Sequence, residues 1–171
     1  MPAPNDPFVV TLALPDDVQA DLDGLRHRWF PAGRTQIGAH LTLFHAVPAD
    51  IEGRVRADLA EAAAAGPVAL RFTEVMSLGR GAAYTVDSPD LVRRHADLQD
   101  GWAGHLSRQD QQRLRAHVTL QNKVEPAVAR RTVEALRAGF TPFEVEAPGF
   151  DLWRYEGGPW AHLERFSSGA S

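Results

Sequence analysis

The feature that most constrains this chain is a spelling used twice. "GAHLTLFHAVP" occupies residues 38–48 and "RAHVTLQNKVEP" residues 115–126. His40-Leu41-Thr42-Leu43 and His117-Val118-Thr119-Leu120 share histidine, aliphatic, threonine, leucine, each after an alanine and each with a valine seven residues past the histidine. The elements around them repeat as well. "FVVTLALP" (8–15) is β-branched and apolar and reads as a strand. Asp16 is the expected N-cap of a helix with Val18, Leu22, Leu25 and Trp29 on one face, stopped near Pro31. The first His-Thr strand follows, then an alanine-rich helix over 49–65 closed by Gly66-Pro67.

The first round ends with a strand over 68–78; a hairpin turn at Gly79-Arg80-Gly81 leads into a strand over 82–86, which opens the second. Ser88-Pro89-Asp90 opens a helix to about residue 103, because serine caps and proline fits the first helical turn. A polar connection, "QDQQRLR", leads to the second His-Thr strand. A helix over 126–139 comes next, then strands in "FEVEAPGFDLWRY" and "WAHLERF", joined through Glu156-Gly157-Gly158-Pro159.

The order is β-α-β-α-β, a turn, then β-α-β-α-β-β, at a spacing too long for a solenoid. It predicts one α/β (α+β) domain over residues 1–171 with two duplicated lobes, about 8–81 and 82–166. Antiparallel or mixed sheets face a central cleft, helices cover the outer faces, and the ends 1–6 and 167–171 are expected to be disordered.

Composition narrows the function. The 171 residues are 44% hydrophobic and 23% charged, as in globular chains. Net charge is −4, which argues against a broad basic surface for duplex DNA but leaves room for a local phosphate pocket. With no cysteine, disulfides and thiol chemistry are excluded, which fits a cytoplasmic location. No apolar run approaches the roughly 20 residues of a membrane span, and the N-terminus lacks the pattern of a signal peptide.

In a strand, residues i and i+2 share a face. His40 and Thr42 therefore point one way over Leu41 and Leu43, and His117 and Thr119 do so over Val118 and Leu120. Two such strands related by a pseudo-twofold bring two imidazoles and two hydroxyls to one point. One imidazole can accept a proton while the other donates, and the hydroxyls can hold the oxygens of a phosphodiester as charge develops. No metal or other cofactor is needed. A zinc site would need His45 or His162 as a third ligand, and the spacing supplies neither.

These paired tetrapeptides resemble the 2H phosphoesterases, which include the bacterial 2'-5' RNA ligase and cyclic phosphodiesterase proteins. The likeness covers nearly the whole chain, including "FVVTLALP" and "LWRYEGGPW". It implies a bilobal α/β fold and metal-independent hydrolysis of 2',3'-cyclic phosphates or 2'-5' linkages on nucleotides or RNA ends. His40, Thr42, His117 and Thr119 would be the catalytic set. A non-catalytic module binding a nucleotide or RNA end in the same cleft is the alternative.

Around this centre, strict alternation puts Phe44, Gln121 and Lys123 on the cleft side. Phe44 would either stack on a base or close a hydrophobic edge. Many relatives carry a basic residue close behind the second motif, whereas Gln121-Asn122 precede Lys123 here. Arg115 also falls on the cleft face, and Arg154 and Tyr155 are candidates for its rim, with surface or packing roles as their alternative. His45 should face away; His27, His95 and His105 should be solvated on helices. A monomer is expected, with no membrane partner.

Overall fold

The computed structural model describes residues 5–31 and 37–168. Eight strands form two four-stranded antiparallel sheets. In chain order they are β1 (Phe8–Ala13), β2 (Leu41–Val47), β3 (Val68–Ser77), β4 (Ala82–Asp87), β5 (His117–Gln121), β6 (Phe143–Ala147), β7 (Gly149–Tyr155) and β8 (Trp160–Ser167). The helices are α1 (Asp16–Trp29), α2 (Glu52–Ala64), α3 (Pro89–Gly101) and α4 (Pro126–Gly139). One sheet has the order β2-β1-β7-β8 and the other β5-β4-β3-β6, so each His-Thr strand is the edge of its own sheet. The expected α/β class and duplicated architecture are present.

The lobes divide differently from the sequence reading. A boundary near residue 81 leaves β3 in the first lobe, but β3 pairs with β4 and β6 in the second sheet. The first sheet is completed instead by β7 and β8 from the C-terminal end. The chain changes sheets at Pro148, between β6 and β7. Proline has no N–H for a ladder, and it separates what reads as one stretch into strands of two sheets. Of the ends expected to be disordered, residues 1–4 and 169–171 lie outside the described residues. Ser167 closes β8, and the Ser168 N–H donates to the Pro148 carbonyl at 3.1 Å.

Local signals explain the helix starts. Ser88 caps α3 by accepting from the Leu91 N–H at 3.1 Å. In α1, Pro15 holds the cap position and Asp16 lies inside the first turn with Asp17, where their charge complements the helix dipole. The core runs through both sheets: Phe8, Leu41, Phe72, Leu120, Phe150 and Leu152 are fully buried. α2 packs on β7 and β8, α3 on β3, and α4 on β3 and β4, while α1 lies against β5 of the other sheet. At Gly81 a Cβ would stand 1.9 Å from the Gln121 carbonyl oxygen, so only glycine lets the β3–β4 turn close against the end of β5.

Candidate active site

The edges β2 and β5 lie side by side and bring both motifs to one cavity of about 430 Å³. His40, Thr42, His117 and Thr119 all line it. Each histidine is pinned in the same manner. The Nδ1–H of His40 donates to the Gly38 carbonyl at 2.8 Å, and that of His117 to the Arg115 carbonyl at 2.7 Å. A carbonyl can only accept, so both rings carry their proton on Nδ1 and leave Nε2 available to the cavity. The Thr42 and Thr119 hydroxyls have no partner among the described residues.

A β-bulge falls on the last residue of each motif and is needed to build the site. Thr11 faces Thr42 and Val10 faces Phe44, so Leu43 is the extra residue in β2. Ala83 faces Thr119 and Ala82 faces Gln121, so Leu120 is its counterpart in β5. An extra residue inverts the alternation beyond it. Phe44 thus turns into the core at 0% exposure, stacked on His95 with centroids 4.6 Å apart and tilted against Trp102 at 4.8 Å. His45, in turn, comes to the cavity.

Both strand edges are closed by side chains. On β2, the His95 Nε2–H donates to the Leu43 carbonyl at 3.0 Å. The buried Asp110 carboxylate accepts from the N–H groups of His45 (2.8 Å) and Ala46 (2.9 Å) and from the His45 Nδ1–H (3.2 Å). On β5, Arg26 from α1 donates to the Thr119 carbonyl at 2.7 Å; it also donates to the Ile37 carbonyl, ahead of β2, at 3.3 Å. These contacts satisfy backbone groups that a bare edge would leave open.

Burial sets the charge state of His40. It pushes the imidazole below its ordinary value; the hydrogen bond to Gly38 opposes this, while positive charge at Arg26, His117 and His45 adds to it. The ring is therefore neutral at neutral pH. Burial alone would raise the Asp110 carboxyl, but its hydrogen bonds from His45 and Ala46 hold it below the ordinary carboxylate range. Beside His40 stands Trp160, centroids 4.9 Å apart, at the start of β8. The turn before it depends on Gly157 and Gly158, both with positive φ (82° and 153°).

A family model described as the 2'-5' RNA ligase superfamily matches residues 14–159, spanning both motifs and both sheets. The chain belongs to that superfamily. It is thereby one of the 2H phosphoesterases, as the paired tetrapeptides imply, and an enzyme at the level of the superfamily. Solved structures agree in fold. A Thermus thermophilus protein, TT0787, is 21% identical with a TM-score of 0.67, over 94% of this chain and 97% of that one. E. coli LigT complexed with NADP+ is 16% identical at a TM-score of 0.62, over 96% and 98%. E. coli LigT complexed with 3'-AMP is 15% identical at 0.60, over 96% and 99%. No curated protein sequence matches.

Within this superfamily fold the other sequence-predicted residues separate. Arg115 lines the cavity from the segment before β5. Phe44 does not, for the reason given. Gln121, expected on the cleft face, is 2% exposed, its amide donating to the Trp29 carbonyl and to the Thr132 hydroxyl. The second bulge turned it inward. Lys123 is exposed in a left-handed turn (φ 63°) outside the cavity. Arg154 lies over the Phe8 ring at 5.8 Å, and Tyr155 is 38% exposed; neither lines the cavity. His95, expected to be solvated, is buried.

Sequence reasoning missed Trp160, His45, Asp110 and Arg113, which all line the cavity. A signal for His45 was present. Strict alternation would send Phe44 to water and His45 to the core, the reverse of their chemistry, and a bulge removes that conflict. Among the described residues, no three metal-ligating side chains come together, and no helix is long and apolar enough to cross a membrane.

Proposed function

We propose that the chain hydrolyses the phosphodiester of 2',3'-cyclic nucleotides, free or at an RNA end, by two-histidine acid–base catalysis. One observation carries this reading: two imidazoles, each fixed by an Nδ1–H bond to the carbonyl two residues behind, share one cavity with two unpartnered threonine hydroxyls. His40, neutral at neutral pH, takes a proton from water as the oxygen attacks phosphorus. His117, as the general acid, gives an Nε2 proton to the ribose oxygen as the P–O bond breaks. The product is a phosphomonoester, and the next water restores both rings. Thr42 and Thr119 donate to the non-bridging oxygens, where negative charge builds. Trp160 supplies an apolar wall on which a base can stack, a contact that tolerates any base. That solved LigT structures contain 3'-AMP and NADP+ supports a nucleotide as the ligand class. The two-histidine route calls for no metal, so a chelator should leave the rate unchanged.

The test is an assay over 2',3'-cyclic mononucleotides, 2'-5' dinucleotides and RNA ending in a cyclic phosphate, read by product identity. Turnover of a cyclic phosphate that disappears in His117→Ala supports the reading. Binding without product across the whole panel would leave only a nucleotide-binding module.

A further inference from the structure

Beyond the two threonines, the cavity is lined by basic side chains that the proposed chemistry leaves unused. Arg113 and Arg115 come from the segment before β5, and neither guanidinium has a partner among the described residues. His45 lies on the opposite strand, its Nδ1–H held by Asp110. Asp110 is the cavity's sole carboxylate among the described residues. Its charge is already met by three N–H groups, so it offers an incoming anion little repulsion. The segment is held in place, since the Gln99 amide donates to the carbonyls of Asp110 (2.9 Å) and Gln112 (2.8 Å). In a chain of net charge −4, this wall gathers positive charge beside a centre built for one phosphoryl group.

We propose that His45, Arg113 and Arg115 form a second anion subsite that takes the 5'-phosphate of the same nucleoside whose 2',3'-phosphate lies between His40 and His117. The inference rests on the phosphodiester reading of that centre. A nucleoside with its reacting phosphate on the 2' and 3' oxygens carries any further phosphate on the 5' oxygen, so an adjacent anion site selects for that group. Guanidinium forks and a carboxylate-backed imidazole suit phosphate oxygens through charge-assisted hydrogen bonds. A free 5'-monoester and the link to a preceding nucleotide share this chemistry.

Calorimetric titration of the whole protein at fixed ionic strength tests it, with adenosine 3'-monophosphate, adenosine 3',5'-bisphosphate and a dinucleotide ending in a 3'-phosphate. The bisphosphate should bind at least about tenfold more tightly than the monophosphate. That ratio should fall toward one in Arg113→Ala and in His45→Gln, and should persist in Arg130→Ala, on the exposed side of α4. Arg113 is exposed and its guanidinium holds no hydrogen bond or ion pair among the described residues, so its variant should leave the fold intact. A gain for the dinucleotide as well extends the site to internal phosphodiesters; a gain for the bisphosphate alone restricts it to monoesters. Equal affinities, a ratio that survives both cleft variants, or no binding of any of the three would overturn the subsite. Failure of the catalytic reading looks different: a cyclic phosphate is not turned over, while the bisphosphate preference and its loss in the variants remain.

Discussion

His40 and His117 owe their chemistry to a backbone carbonyl two residues behind each ring. That contact fixes the tautomer without adding charge, so each Nε2 can take or give a proton at little reorganisation. His40→Ala and His117→Ala should each lower kcat for a cyclic nucleotide by at least about a hundredfold, measured by steady-state hydrolysis. With His40 as the proposed base, the acid limb of the rate profile is expected to follow its titration. Because its folded pKa lies below the ordinary histidine value, activity should hold as pH falls through about 6.5 and fail only further down. A limb centred above that value would contradict the assignment of His40 as base. Trp160→Ala should act on KM more than on kcat, raising it by about tenfold if a base stacks there.

Between residues and sheets, the deciding devices are the two bulges and the capping of the edges they create. In β2 and in β5 one extra leucine lets a cavity-facing threonine and an inward-turned residue, Phe44 or Gln121, stand two positions apart. The His95 contact to Leu43 has a measurable consequence. Burial lowers the His95 pKa, opposed by its hydrogen bond to Leu43 and by the Asp110 charge. The unfolded chain, with its histidine near 6.5, therefore binds this proton more readily than the folded one. Stability should be full above about pH 6.5 and decline as pH falls toward the folded value, with His40 contributing in the same direction. His95→Leu should cost about 1–3 kcal/mol near neutral pH by leaving the Leu43 carbonyl without a donor. It should also flatten the decline, as read by urea denaturation at about pH 8 and about pH 5.5. An unchanged slope would show that His95 does not carry it.

At the scale of the molecule, each sheet braces the other's active edge. Arg26 reaches from α1, which follows the first sheet's β1, to the Thr119 carbonyl of the second sheet. His95 reaches from α3, between β4 and β5, to the Leu43 carbonyl of the first. Arg26 is 6% exposed and lies over the Phe30 ring at 4.5 Å, so its position is well determined by packing. Arg26→Leu keeps much of the apolar stem but leaves two carbonyls without their donor. It should cost about 1–3 kcal/mol in stability and lower kcat between about ten- and a hundredfold by loosening the motifs' mutual position. Arg26→Lys, which keeps one donor, should recover part of both. Wild-type kcat in the leucine variant would show that the brace does not position the histidines.

The sequence by itself determined the element order, the apolar strands and the pairing of the two His-Thr motifs. These follow from local periods and from residue types whose chemistry is the same wherever they stand. Ser88-Pro89, for instance, announced the start of α3 without any help from tertiary contacts. What only the tertiary structure decided was which way side chains point past a bulge, which sheet β3, β7 and β8 join, and what fills the cavity around the motifs. Strand alternation is a count from a starting residue, and one inserted leucine reverses it for Phe44 and Gln121 alike. Sheet membership depends on pairing between strands more than sixty residues apart, such as Val68 with Ala147 and Phe8 with Arg154. Trp160, Asp110 and Arg26 meet the motif strands through such long-range packing, which no local pattern encodes.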